Sequence, residues 1–591
     1  MLESLIDVLS KAYDAPRHWD LLVGLWEQER WFDTPHQRRA AEIARDALAA
    51  GGLAEAAVVP FPADGRTRLQ DWTTHLAWEC TDARLSLGGE VLADRRACPC
   101  ATVMWSGPLE PTEAPVVDGD AFGTIHPEDV RGKFVLTAKP PREMKQRVLG
   151  MGAAAIVSDF LGKGVLFDDD TTKWCNTWAD GQDGWYFRTK DAAMPGFCLS
   201  PRSGATLRKA LAANPGLLLA GRCRSRLYAG EAQCVTAVVP GRDPSRELWL
   251  YGHACEEGAD DNASGVSAIV EAASLLASLV GSGALPRPRF TIRALATEEC
   301  IGMVAFSTQH DGLRRRALAG MNLDSVGDVR TKENPYQVIF GPLSSPTFGW
   351  AVAGEIGRRV AERSRGEWHL GARYMTLVSD DMVADPLCGI PSFWLGPSGH
   401  ATAGYHSSRD TPDVCVEASL RSSTLLAAAW AYTMANLDEA SARGLLAPAA
   451  RWLDENVLPS SDADGAILRR WAAAGAMRDL ARWGVPTSVY EPLAAAYAPA
   501  GADPLPDLPR EGRRLARRQW GAYTFETLPD DRARQFSRWS DWQAAAFYWC
   551  DGRRTLAAAE RLARAETGRM PEGAMERLAE ACVEAGLAEW R

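Results

Sequence analysis

The chain has 591 residues, 46% of them hydrophobic and 24% charged, with a formal net charge of −11. That length exceeds what one hydrophobic core organises, so about two to four domains are expected, and the acidic balance argues against bulk binding to nucleic acid or to anionic membranes. No run is read as a membrane span. Met1-Leu2-Glu3-Ser4 opens an amphipathic segment without a basic leader region, and the 13 cysteines lack a framework spacing, so a cytoplasmic protein with reduced thiols is expected.

From about Ser4 to Ala57 apolar positions recur at three-to-four spacing, through Leu21-Leu22-Val23-Leu25-Trp26 and again through Ala40-Ile43-Ala44-Leu48, which predicts helices. Gly51-Gly52 stops the second run, and Ala56 to Phe61 reads as a strand. Residues 93–216 have a different texture, rich in glycine and short apolar runs, and are read as a small inserted α/β domain between a first part of the main domain (1–92) and its continuation (217–440). Trp174, Trp178, Trp185, Tyr186 and Phe187 cluster in this insert, either as its core or as an overhang on the functional site.

Val235 to Val239 is the next predicted strand. The following stretch, Leu248 to Asp324, carries most of the chemistry. An apolar run ends in Tyr251-Gly252-His253, and Gly258-Ala259-Asp260-Asp261-Asn262-Ala263-Ser264-Gly265 leads into a helical pattern to about Leu279. A second apolar run delivers Thr297-Glu298-Glu299 and a third delivers Asn322-Leu323-Asp324. A histidine and several carboxylates thus sit where strands end, which is where open α/β sheets bind ligands. Asp and Glu are rarely buried unless paired or bound to a cation, and imidazole with carboxylate suits zinc, with cobalt or manganese as substitutes.

Further strands and helices are predicted at Val338–Phe340, Phe348–Glu362 and Ile390–Leu395, with Ser379-Asp380-Asp381 between the last two and His400, Tyr405 and His406 in the loop beyond. His406 is followed by Ser407-Ser408-Arg409-Asp410-Thr411-Pro412; His400 has no such context.

Taken together, His253, the Asp261 turn, Glu298-Glu299, Asp324 and Tyr405-His406 resemble, in order, the pattern of the co-catalytic di-zinc exopeptidases of metallopeptidase family 28. The resemblance implies an α/β fold with a mixed sheet flanked by helices, and two zinc ions per chain. It implies that one ion takes His253 and Asp324, that the other takes Glu299 and His406, and that Asp261 bridges both. Glu298 would be the general base and Tyr405 would help hold the oxyanion. Cys255 stands where the family has an aspartate that orients the histidine, which leaves that outer tuning open; Asp380 and Asp410 are expected outside the ligand set, and Asp381 stands where the family often has histidine. Within the insert, Val130-Arg131-Gly132-Lys133-Phe134-Val135-Leu136 and Met151-Gly152-Ala153-Ala154-Ala155-Ile156-Val157 resemble the protease-associated domain.

Past Asn436 the chain turns to Ala, Arg and Trp on helical spacing (441–520), and 521–591 reads as three helices and a short strand, capped at Thr555 and stopped at Gly568. This resembles a winged-helix module, and the whole chain resembles the aminopeptidase-like proteins of domain of unknown function 4910. The tail holds 10 Arg and no Lys against 12 Asp and Glu, so a packing or dimerisation role is expected rather than DNA binding, with homo-oligomerisation left open. The expected activity is release of the N-terminal residue from peptides or aminoacyl amides. The alternatives are a carboxypeptidase, a glutaminyl-cyclase-like enzyme, a pseudoenzyme that keeps only the fold, and a non-catalytic regulator acting through the tail.

Overall fold

The computed structural model describes residues 2–181, 184–376, 379–397 and 403–591; His400 therefore lies outside the described residues. A mixed sheet of eight strands carries the core: Ala54–Ala63 (β1), Gly230–Val239 (β2), Asp243–Ala254 (β3), Phe290–Glu298 (β4), Ala317–Leu323 (β5), Tyr336–Phe340 (β6), Leu370–Tyr374 (β7) and Ser392–Gly396 (β8). Their spatial order is β1-β2-β4-β3-β5-β8-β6-β7. The four central strands, β4, β3, β5 and β8, run parallel, and β1, β2 and β6 lie antiparallel to their inner neighbours.

The central strands are buried on both faces, and that is why they read as unbroken apolar runs rather than alternating ones. Along β3, Leu248 and Leu250 enter the core on one side of the sheet while Trp249 and Tyr251 enter the core on the other. A charged pair is also built into this interior: Arg293 on β4 donates to Glu247 on β3 at 2.7 and 2.9 Å. One face is covered by the helices Ala263–Gly281 and Glu417–Ala435, with the N-terminal helices Leu2–Ala12, Ala15–Glu29 and Thr34–Ala50 packed against them. By length and composition Ala263–Gly281 could cross a membrane, contrary to the reading that no run reaches that length. Its window is 83% buried inside the protein, so it is accounted for as a core helix.

A second sheet of seven strands forms the insert. It reaches from Ala77 to Tyr228, further in both directions than 93–216, because the long strands Ala77–Leu87 and Leu218–Tyr228 pair antiparallel along most of their length. The C-terminal segment contains the helices Asp541–Trp549, Leu556–Thr567 and Ala574–Glu584, and the strand Ala588–Trp590 pairs with Leu515–Arg517. Thr555 caps the second of these helices, accepting from Ala558 N at 3.2 Å, and Gly568 ends it in the left-handed region at φ 67°.

Candidate metal centre

The pairing register brings the ends of three parallel strands level: His253 lies beside Thr297, and Tyr251 beside Asn322. Just beyond these ends the chain turns sharply. Cys255, Cys300, Ser325 and His406 all adopt positive φ, from 52° to 85°, a conformation that is costly for residues with a Cβ and that concentrates at functional sites.

Asn262 ties the turns together. Its amide donates to the carbonyls of His253 and Leu323, each at 3.1 Å, and its oxygen accepts from Gly265 N and Ser325 N at 3.0 and 3.1 Å. Asp410 cradles the adjacent backbone, accepting from Asp260 N at 2.7 Å and Asp261 N at 3.1 Å. Gly258 is required there, since a Cβ would lie 2.2 Å from Asp410 Oδ2. Asp380 reaches His253 Nδ1 at 2.9 Å and accepts from Cys300 N at 2.6 Å, which fixes the imidazole ring and leaves Nε2 facing Asp261 Oδ1 at 3.3 Å. A carboxylate behind a ligating histidine is a common device for orienting the ring.

Two compact groups result. His253, Asp261 and Asp324 each bring one ligand atom to within 4.8 Å of the others, and Glu256, Asp261 and His406 do the same. Asp261 is common to both. Of the residues singled out in the sequence, these groups gather His253, Asp261, Asp324 and His406. The pair Glu298-Glu299 divides. Successive residues of a strand point to opposite faces, so Glu298, which pairs in register with Ala254, points away from the face of His253 and meets His75 Nε2 at 2.8 Å in the interior. Glu299 faces the cavity beside the two groups without entering either. Its Oε1 accepts from Ser379 Oγ at 2.9 Å and its buried Oε2 has no hydrogen-bond partner among the described residues.

Glu256 was not recognised as a ligand from the sequence, and His75 was not recognised as a site residue. The acidic pair after His253 was the only available signal for the first, and nothing local marks the second. Tyr405 lines the cavity with its ring stacked 3.8 Å from that of His406. Cys255 is also at the site turn, outside both groups. The insert holds the His406 loop from behind: Trp174 N donates to His406 O at 2.9 Å, Ser408 N donates to Thr172 O at 2.9 Å, and the Trp174 ring meets the His406 ring edge-on at 4.9 Å. Trp178 and Phe187, by contrast, are buried in the apolar cluster that runs from the insert to one face of the main sheet.

Burial pushes the carboxyls of Glu256, Asp324 and Glu299 above the ordinary carboxylate range. Burial also raises Asp261, but the rings of His253 and His406 outweigh it and hold that carboxyl below the range. On His253 burial acts downward, and Asp324 and Asp380 overcome it to hold the imidazole well above the usual histidine value. So much converging negative charge calls for compensating cations. The donors are oxygen and imidazole nitrogen, a set that suits zinc, cobalt or manganese, and the shared carboxylate suits two ions side by side. The residues fit such a group.

A strand-end cluster of this composition on a mixed α/β sheet is a candidate two-metal centre. Residues 235–431, about a third of the chain and the part holding both ligand groups, match the family described as Peptidase family M28. No curated protein sequence matches the chain. Among solved structures, one from Clostridium acetobutylicum is similar over 100% of both chains at 15% identity, with a TM-score of 0.51. A Peptidase M28 precursor from Shewanella amazonensis is similar over 74% of this chain and 97% of its own, also at 15% identity, with a TM-score of 0.50. At these identities the likeness is one of fold.

Proposed function

We propose that the protein is a zinc-dependent exopeptidase, an aminopeptidase that hydrolyses the N-terminal amide bond of peptides or aminoacyl amides. The observation that carries this is Asp261, whose two oxygens face His253 and His406 at 3.3 and 3.5 Å and so join the two ligand groups. One ion would be held by His253, Asp261 and Asp324, and the other by Glu256, Asp261 and His406. Bound there, the pair would polarise the scissile carbonyl and bring the pKa of the nucleophilic water towards neutrality.

The remaining steps fall to the chain's own groups. Glu299, a residue of the cavity wall with one oxygen fixed by Ser379 and the other buried without a hydrogen-bond partner among the described residues, would accept the water proton and pass it to the leaving amine. Glu298 is held by His75 and is the weaker candidate for this role. Asp380 keeps His253 in the tautomer that leaves Nε2 free to ligate, and Tyr405 would help hold the developing oxyanion. Asp381, at the cavity wall and pushed up to about 8 by burial and the neighbouring Asp380, and Asp541 are the acids available to the substrate's amino group. Glu257 and Asp260, acids of the same stretch, are absent from this cavity's lining.

The test is zinc content measured alongside hydrolysis. The expected result is about two zinc per chain, loss of both metal and turnover in Asp261→Ala, and turnover of free but not N-acetylated peptides. A chain that binds no zinc would sink the reading; equal cleavage of acetylated and free substrates would reverse its polarity.

A further inference from the structure

We infer that the substrate is a short peptide with a free C-terminal carboxylate, and that Arg373 and Arg569 bind that carboxylate; this rests on the peptidase reading above. The cavity beside the ligand groups has a volume of about 690 Å³, within the range of pockets that enclose one small ligand. Its lining is not supplied by the main domain alone. Trp185 comes from the insert, and Trp539, Ser540, Asp541 and Arg569 come from the C-terminal segment.

The insert and the tail meet at this wall. The rings of Trp185 and Trp539 lie 5.7 Å apart, and the Arg538 guanidinium sits 4.9 Å from the first and 4.0 Å from the second. Arg188 of the insert forms an ion pair with Glu526 of the tail. The contact between Trp185 and Trp539 forms the part of the cavity wall that the insert and the tail share.

The charge on the cavity wall indicates what the far end of the substrate carries. Arg373, on the edge strand β7, and Arg569, after the helix Leu556–Thr567, both line the cavity. Both are exposed, and among the described residues neither guanidinium forms an ion pair with a carboxylate. Other cations described near the site are engaged: Arg538 lies among aromatic rings against Cys300 Sγ at 3.4 Å, Arg409 pairs with Asp168, and Lys173 donates to Tyr405 O at 3.4 Å. β7 lies three strand positions from β5, about 14 Å at the usual strand spacing. An extended peptide covers about 3.5 Å per residue. Allowing for the reach of an arginine side chain, roughly two to four residues span the distance from the metal centre to the Arg373 guanidinium. A guanidinium is suited to bind a carboxylate in bidentate fashion.

The test uses the zinc-loaded full chain and compares free-acid peptides of two to eight residues with their C-terminal amides, including amides that carry an acidic side chain. The free acid is expected to exceed its amide in kcat/KM by about tenfold or more, with rates falling beyond about four residues. In Arg373→Gln/Arg569→Gln the preference should vanish, with the free-acid rate dropping to that on the amide while zinc content is kept. Three results would overturn the inference: equal rates on acid and amide, rescue of the amide by an acidic side chain, or undiminished cleavage of the eight-residue peptide. Should no peptide be hydrolysed, the peptidase reading itself fails. The carboxylate site is then judged by calorimetry on the metal-free protein, where equal binding of a free-acid tripeptide and its amide would reject it.

Discussion

Three neighbouring glutamates divide the work at the centre, and their environments suggest how. Glu256 belongs to a ligand group, Glu299 lines the cavity with one buried oxygen unpaired among the described residues, and Glu298 is held by His75. Glu256→Gln is therefore expected to release about one of two zinc ions. Glu299→Gln should keep both and lose activity by about 10²- to 10⁴-fold. Glu298→Gln should keep both ions and far more activity than Glu299→Gln. Metal analysis beside kcat separates these outcomes: loss of metal from Glu299→Gln, with collapse of activity in Glu298→Gln, would restore the order that the family pattern implies. His253, Asp261, Asp324 and His406 were legible in the sequence because each is fixed by a strand end or by its neighbours in a motif. The Glu298-Glu299 pair was legible as a pair but not in orientation, since the direction of each side chain depends on the register between β3 and β4. Glu256 comes back into the site because Cys255 takes a φ of 85°, a turn that composition does not announce.

At the scale of the element, the helix Ala15–Glu29 braces the helix that follows the Asp261 turn. His18 is fully buried between them, with Nε2 3.1 Å from Ser267 Oγ and Nδ1 2.9 Å from Tyr13 OH. Burial pushes this imidazole down to about 3 from an ordinary value of 6.5. The folded state thus binds fewer protons than the unfolded state between these two values, so stability rises with pH across that window. The contribution is full above about 6.5 and is lost as the pH falls towards about 3, at about 1.4 kcal/mol for each unit of difference. His18→Gln should flatten the dependence of urea-unfolding stability on pH in this range; an unchanged acid limb would show that His18 is not its source. Elements such as these were legible because their apolar positions recur at helical spacing. The long insert strands were not, because polar residues alternate along Ala77–Leu87, with Thr81 exposed and Glu79 partly so, and the stretch lacks the apolar run that marks a buried strand. β7 was missed for a related reason: it is short and at the sheet edge, and its residues are only partly covered.

For the whole molecule, the C-terminal segment is docked onto the main domain through buried polar contacts, and it helps to line the cavity. Asp385, just past the short helix that carries Asp380, accepts both terminal nitrogens of Arg517 at 2.6 Å and Gly521 N at 2.8 Å, and both charged side chains are almost wholly buried. Asp71 accepts from Thr524 N and Phe525 N at 2.7 and 2.9 Å, and Glu566 accepts from Leu343 N at 2.6 Å and from Tyr374 OH at 2.8 Å. These partners lie more than a hundred residues apart in the chain, so no local pattern could have joined them. Removing one member of a buried pair leaves an uncompensated charge and costs about 3–5 kcal/mol, whereas replacing both with apolar groups often costs far less. Asp385→Ala is therefore expected to loosen the tail, raise its sensitivity to limited proteolysis, and raise KM through displacement of Trp539 and Arg569 while zinc content is retained. Asp385→Leu/Arg517→Leu should restore much of the protection. If the single variant resists protease and binds substrate as the parent does, the tail is held by its apolar contacts and the buried pair contributes little to the shape of the cavity.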